Sequence, residues 1–366
     1  MRSISRGHAR ARTVAIRSFA IATVVAVACA AGMTMHGSGS PAAAADPSAS
    51  PSTPAVQPGE PWIAYVWDAQ GVKVVRMVRP DGTDDHLAIG AAPAFTEHPD
   101  WSPDGTQIAY VVDWSSIVIA NADGSDPVRV ATCVAPCVDI DMPAWSPDGT
   151  RIAFRTLEIE GGLYTGSAIE VVDIASGVTR TVSRPAAPLY PHWPRWSPDG
   201  HSMVVELERY DSVPPEGTTA IAPATAIAVI DLRQDPATPP TIVTPWDIRA
   251  SYPDWSPTED LIVFDTYDLD DYNATDQASN VFTVRPDGSE LTQVTSFEPG
   301  GDRALQPSWT PDGKRVIFTW ATGSATGGTD YPATVGFVDA DGRNLTHGLG
   351  GSAPIYVTHP RLRPTP

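Results

Sequence analysis

His98–Asp113 reads HPDWSPDGTQIAYVVD, and the phrase returns as MPAWSPDGTRIAFRTL (Met142–Leu157) and WPRWSPDGHSMVVELE (Trp193–Glu208). Two looser copies follow, YPDWSPTEDLIVFDTY (Tyr252–Tyr267) and QPSWTPDGKRVIFTWA (Gln306–Ala321). Their tryptophans, Trp101, Trp145, Trp196, Trp255 and Trp309, stand 44, 51, 59 and 54 residues apart. A recurrence at this period marks a repeat architecture. Within each copy a strand ends at Trp, Ser-Pro-Asp-Gly reverses the chain, and an apolar strand such as Ile108–Val111 returns. Pro presets φ for the turn, Asp bonds backbone amides and Gly accepts positive φ.

A third strand follows each phrase, as at Ile117–Ala120, Ala168–Val172 and Ala226–Ile230. A second turn, often Asp-Gly, then leads to a polar fourth strand such as Val128–Ala131. Four short strands per unit define a propeller blade rather than a helical solenoid. The ends complete the count. Trp62–Val66 matches the returning strand without a phrase before it, and His359–Pro364 matches HPDWSP with Leu362 in the tryptophan's place. The expected fold is therefore all-β: a six-bladed β-propeller of four-stranded antiparallel blades, closed by pairing the C-terminal strand with the N-terminal blade. Such closure leaves no free sheet edge.

The W-S-P-D-G-x-x-I-A-F phrase resembles the PD40-type (WD40-like) blade of the TolB-like six-bladed propellers, over residues 61–366. TolB carries an additional α/β domain before its propeller, whereas a leader and a linker occupy that space here. Dipeptidyl-peptidase-type proteins use related blades, but this chain has neither a G-x-S-x-G elbow nor length for an α/β-hydrolase domain.

The outer regions place the propeller in a compartment. Residues 1–36 read as an export signal or lipoprotein leader: a basic start, then a short apolar run from Ser18 to Met33. Two processing sites compete, after Ala45 and before Cys29, the latter a lipidation candidate. Residues 37–61 are Pro/Ser/Ala-rich and expected to be a disordered tether; the propeller occupies 62–366. Cys133 and Cys137 form the only other cysteine pair and are expected to be a disulfide in an exported protein. The chain carries a net charge of -19, and five of its 24 Lys and Arg precede Asp46 while none of its 43 acids does. Such a surface repels nucleic acid.

One face is expected to carry the turns and the other the loops that lead into each inner strand or join the second strand to the third. Those joining loops are short at Asp113–Ser116 and long at Glu158–Ser167, Arg209–Thr225, Thr266–Asn280 and Ala321–Thr334, so binding is expected on that face. The residues leading into the inner strands should ring the tunnel mouth. In blade order they are Thr358/His359, Glu97/His98, Asp141/Met142, His192/Trp193, Ser251/Tyr252 and Leu305/Gln306. From this ring we take Glu97, His98, Asp141, His192, Trp193, Tyr252, Gln306 and His359 as candidate binding residues. Tyr164, Tyr210, Asp268, Asp270, Asp271, Tyr272 and Tyr331 are the candidates on the loops. The acidic Thr266–Asn280 loop lacks the EF-hand pattern; no cofactor is expected, calcium being the alternative there, and metal binding by His359, His98 and Asp141 the alternative at the mouth. The five phrase tryptophans are expected to pack between blades. Two functions compete: a non-catalytic propeller binding a protein or peptide of the cell envelope, with membrane contact only through the leader or its lipid, and a metal-dependent lyase or hydrolase acting on a polysaccharide or peptide at the tunnel mouth.

Overall fold

The computed structural model describes residues 59–365 apart from 70–71, 90–94, 161–162, 211–222, 268–277, 323–331 and 350–356. Six four-stranded antiparallel sheets follow one another as blades. Blade 1 is composite, with Val357–Leu362 innermost, then Ile63–Ala69, Val72–Val78 and His86–Leu87. Ile63 pairs with Leu362 and Val66 with Thr358, so the C-terminal strand closes the ring as the sequence predicts. Blades 2 to 6 begin with inner strands Thr96–Trp101, Cys137–Trp145, Leu189–Trp196, Ala250–Trp255 and Arg303–Trp309. Among the described residues no helix is long and apolar enough to cross a membrane.

The repeated turn closes as its residue types require. In blade 2 the amide of Gly105, at φ 66°, donates to the Ser102 carbonyl, while Asp104 accepts from the Ser102 hydroxyl and the Thr106 amide. The same contacts recur around Asp148 and Asp199. Each phrase tryptophan is buried, with 5–9% exposure. Trp101 packs with Trp62, Val75 and Met77 of blade 1, and Trp196 with Ala144, Ile169 and Val171 of blade 3. The tryptophans therefore seal the joints between blades. The Trp196 indole also donates to the Ala144 carbonyl across the joint (3.0 Å). Trp196→Phe keeps most of the packing but leaves that carbonyl without its partner. The expected loss is about 1 kcal/mol, measurable as a shift in the urea midpoint.

The Cys133–Cys137 disulfide is present, with Cα atoms 5.4 Å apart. It staples a strap leading into the inner strand of blade 3. Because the closed loop is only a few residues long, replacing both cysteines by serine is expected to cost at most about 2 kcal/mol, read as a lower Tm that added reductant no longer changes.

One joining segment differs from expectation. Glu158–Ser167 is not an irregular loop: Arg151–Glu160 and Leu163–Asp173 continue as one long hairpin, with Glu160 paired to Leu163. Alternating apolar and β-branched residues through Leu157, Ile159 and Leu163 favour continued pairing.

Candidate functional site at the propeller axis

Every inner strand carries a proline two residues before the tryptophan position: Pro99, Pro143, Pro194, Pro253, Pro307 and Pro360. Proline cannot donate to a ladder and is tolerated in a strand mainly at edges and bulges. Each of these strands has a register shift there. The residue before each proline adopts positive φ: His98, Met142, Trp193, Tyr252, Gln306 and His359, all between 50° and 58°. Bulges re-aim side chains, and six of them here act on one axis.

The re-aimed side chains meet one another. The His359 ring stacks on Trp193 with centroids 4.9 Å apart, and lies 4.6 Å from His98 and 5.7 Å from Tyr252. Trp193 is 4.8 Å from His98 and 4.6 Å from Tyr252. Blades 3 and 6 join through the Trp193 amide, which donates to Met142 Sδ (3.3 Å), and the His359 amide, which donates to Gln306 Oε1 (3.0 Å). The residues that the sequence places around an open mouth thus form an aromatic plug across it. Burial, followed by the nearby His98, pushes the His359 pKa well below the usual histidine range, so His359 is neutral at pH 7.

Polar side chains surround this plug on the loop side. Lys73 donates to Glu97 (2.9 Å), and His98 Nδ1 bonds Asp141. Asp141 also lies 3.7 Å from Arg155, whose guanidinium donates to Asp139 (2.6 Å) and contacts His192 Nδ1 (3.2 Å). His192 Nε2 is 3.2 Å from Glu208. Burial raises the Asp141 pKa, but the charge of His98 and its hydrogen bond outweigh it and hold the carboxyl below the usual range. Two buried carboxylates cap the re-aimed backbone of the next blade: Glu206 accepts from the Tyr252 amide (3.1 Å) and Asp265 from the Gln306 amide (2.6 Å). Both are pushed up, first by burial and then by a neighbouring carboxylate, Glu208 for Glu206 and Glu206 for Asp265. Ser251, Leu305 and Thr358 complete the ring without charge.

Lys73, Arg155, Glu206, Glu208 and Asp265 are absent from the sequence-derived set. For Arg155, Glu206, Glu208 and Asp265 the signal was a charge inside an otherwise apolar second strand, as in IAFRTL, VVELE and VFDTY, and for Lys73 a charge in the third strand of blade 1, VKVVRMV; burial of a charge requires a partner. Of the loop candidates, Tyr210 is 40% exposed, packs edge-on against Tyr190 and donates to Glu208 (3.0 Å). Tyr164 lies on the long hairpin of blade 3, its side chain outside the described residues; Asp268, Asp270, Asp271, Tyr272 and Tyr331 lie outside them altogether, as does Cys29.

Towards the turn face, a second layer follows each proline: Asp100, Ala144, Arg195, Asp254, Ser308 and Arg361. Asp254 bridges Arg361 (3.2 Å) and Arg195 (3.7 Å) and accepts from the Trp309 amide (2.8 Å). Above this charged floor a cavity of about 550 Å³ opens on the turn face, walled by the tryptophans and Leu362. The described hollow on the axis is therefore on the face opposite the joining loops. Among the described residues no group of three or more His, Cys, Asp or Glu side chains is arranged to hold a metal ion.

These features define a six-bladed propeller closed between its chain ends and plugged across its axis on the loop side. The fold is that of the TolB-like propellers. TolB from Acinetobacter baumannii matches with a TM-score of 0.58 and 16% identity over 83% of this chain, which spans 66% of that protein. A putative TolB from Agrobacterium tumefaciens matches with 0.54 and 20% identity, over 83% of this chain and 98% of the other. A chain of a nidogen/laminin complex matches with 0.58 at 8% identity, over 83% of this chain and 99% of the other. At these identities the likeness is one of fold. No family model and no curated protein sequence matches the chain.

Proposed function

We propose that this chain is an exported, tethered, non-catalytic propeller that binds a protein or peptide partner of the cell envelope on its loop face. The basic-apolar leader and the Pro/Ser/Ala-rich tether support the location at the outer surface of the cytoplasmic membrane, with cleavage or lipidation at the leader. The observation that carries the reading is the plug across the axis. His98, Trp193, Tyr252 and His359 close on one another, so among the described residues the loop side ends in a surface rather than a substrate-sized pit. The alternative, a metal-dependent lyase or hydrolase, needs imidazoles free to coordinate or to take protons. Here both His192 nitrogens are engaged, by Arg155 and Glu208, and His98 bonds Asp141 while Trp193 and His359 pack against its ring, which favours binding.

The test places a photo-crosslinking amino acid at Tyr210 on the loop face, and separately at Asp148 on the turn face, in the full chain in envelope preparations. A discrete partner adduct from position 210 and none from 148 is expected. Adducts confined to position 148 would move the binding surface to the turn face and overturn the proposal.

A further inference from the structure

Apart from Val72 and Tyr210, which stand singly, the exposed large apolar residues of the described chain fall into two groups. Leu87, Val128, Val178, Ile242, Leu291 and Leu345 occur once per blade, on or just before the outer strand; they belong to the repeat. Trp114 (41% exposed), Val134 (72%) and Val138 (49%) break it and share one place, the loop-face rim between blades 2 and 3. The Ile140 amide donates to the Trp114 carbonyl (3.0 Å) and the Cys133 amide to the Ser115 carbonyl (2.8 Å), so the strap carrying both valines lies along the turn carrying the indole.

This place is rigid. Asp113 and Trp114 both have φ 49°, a conformation uncommon outside glycine, which presents the indole on the short joining loop of blade 2. Trp114 stacks on Phe95 with centroids 5.4 Å apart. Phe95 and Asp113 exchange hydrogen bonds, the Phe95 amide to the Asp113 carboxylate and the Asp113 amide to the Phe95 carbonyl, each 3.0 Å. The disulfide fixes the strap from the other side. A pre-ordered aromatic flanked by aliphatic groups is the composition of an interface hot spot, because little entropy remains to be lost on binding.

Charge identifies the occupant. Asp113 is exposed beside the indole, and Asp139, on the strand that the strap enters, keeps a partly exposed carboxylate against Arg155. The exposed charge beside the indole is thus acidic, in a chain whose part after Ala45 has 43 acids against 19 bases. We propose that the Trp114–Val134–Val138 patch anchors a peptide segment presenting one apolar side chain flanked by lysine or arginine. This deepens the loop-face reading given above and rests on it: the apolar side chain packs on the indole and valines, and the flanking cations meet the acidic rim. Complementary charge of this kind mainly speeds encounter and weakens with salt.

The probe is an acetylated, amidated heptapeptide with a central Leu flanked by Lys, followed through the Trp114 indole N–H and the Val134 and Val138 methyl resonances of the full chain. Saturable shifts at these three residues are expected in 50 mM salt, with affinity at least 5-fold weaker in 300 mM. The Glu-flanked analogue should give none, and a central Gly should remove the shifts. Val134 is 72% exposed, so Val134→Ser should leave Tm unchanged while weakening the probe at least 3-fold. Shifts confined to residues around Tyr210 would overturn the anchor and leave the loop-face reading standing. Shifts only on the turn face would overturn both. Absence of any shift overturns the anchor, since the crosslinking experiment tests the wider reading independently.

Discussion

Asp254→Ala should lower the unfolding free energy by about 3 kcal/mol, the lower end of the range for removing one partner of a buried ion pair, because its side chain keeps 14% exposure at the cavity floor. Its carboxylate reaches Arg195, Arg361 and the Trp309 amide, tying blades 4, 5, 6 and 1 across the axis. Burial, then the second guanidinium of Arg361, already depresses the Arg195 pKa to about 10. Without Asp254 those two cations face each other with Asp100 as the remaining acid of this layer, and Asp100 is itself pushed up by burial. The double variant Asp254→Ala/Arg361→Met should recover part of the loss, since it removes one uncompensated charge along with its partner. Urea denaturation at pH 7 measures both. A single-variant loss below about 1 kcal/mol, the ceiling for ordinary exposed pairs, would show that this layer does not hold the ring together.

The blades were readable because each is written several times. Trp101, Trp145, Trp196, Trp255 and Trp309 recur for one packing reason, and Ser-Pro-Asp-Gly for one turn geometry, so the period and the composite closure through Leu362 follow from the residues alone. The axis was harder. The prolines at Pro99, Pro143, Pro194, Pro253, Pro307 and Pro360 were as regular as the tryptophans, and a proline inside a strand signals a bulge. That the bulges turn His98, Trp193, Tyr252 and His359 onto one another depends on six strands brought together by closure, which no local window contains. The long hairpin of blade 3 differs for a related reason: Gly161 and Gly162 mimic a loop boundary, yet two glycines between β-formers also suit a tight hairpin turn. Arg155, Glu206 and Asp265 escaped because their partners, His192, Tyr252 and Gln306, belong to the following blade.

The pH dependence of stability should be dominated by such a cross-blade carboxylate, and Glu206→Gln isolates it. Burial, then repulsion from Glu208, raises the Glu206 pKa in the folded chain above its ordinary value of 4.5. Between the two values the folded state holds a proton that the unfolded chain has released, so folding stability falls as pH rises through that window. Below about pH 4.5 both states are protonated and the carboxyl costs nothing. Above the folded value the protein carries a buried charge beside Glu208, whose own pKa is held down by His192 against the opposing effect of burial. A glutamine oxygen can still accept from the Tyr252 amide but never becomes charged. Glu206→Gln is therefore expected to match the parent near pH 4.5 and to exceed it by about 3 kcal/mol near pH 9, the scale of an uncompensated buried ion. Thermal melts across that range give the result directly. A variant less stable than the parent at pH 9 would show that the ionised carboxylate is compensated by a cation, and that the cap on Tyr252 matters more than the charge it buries.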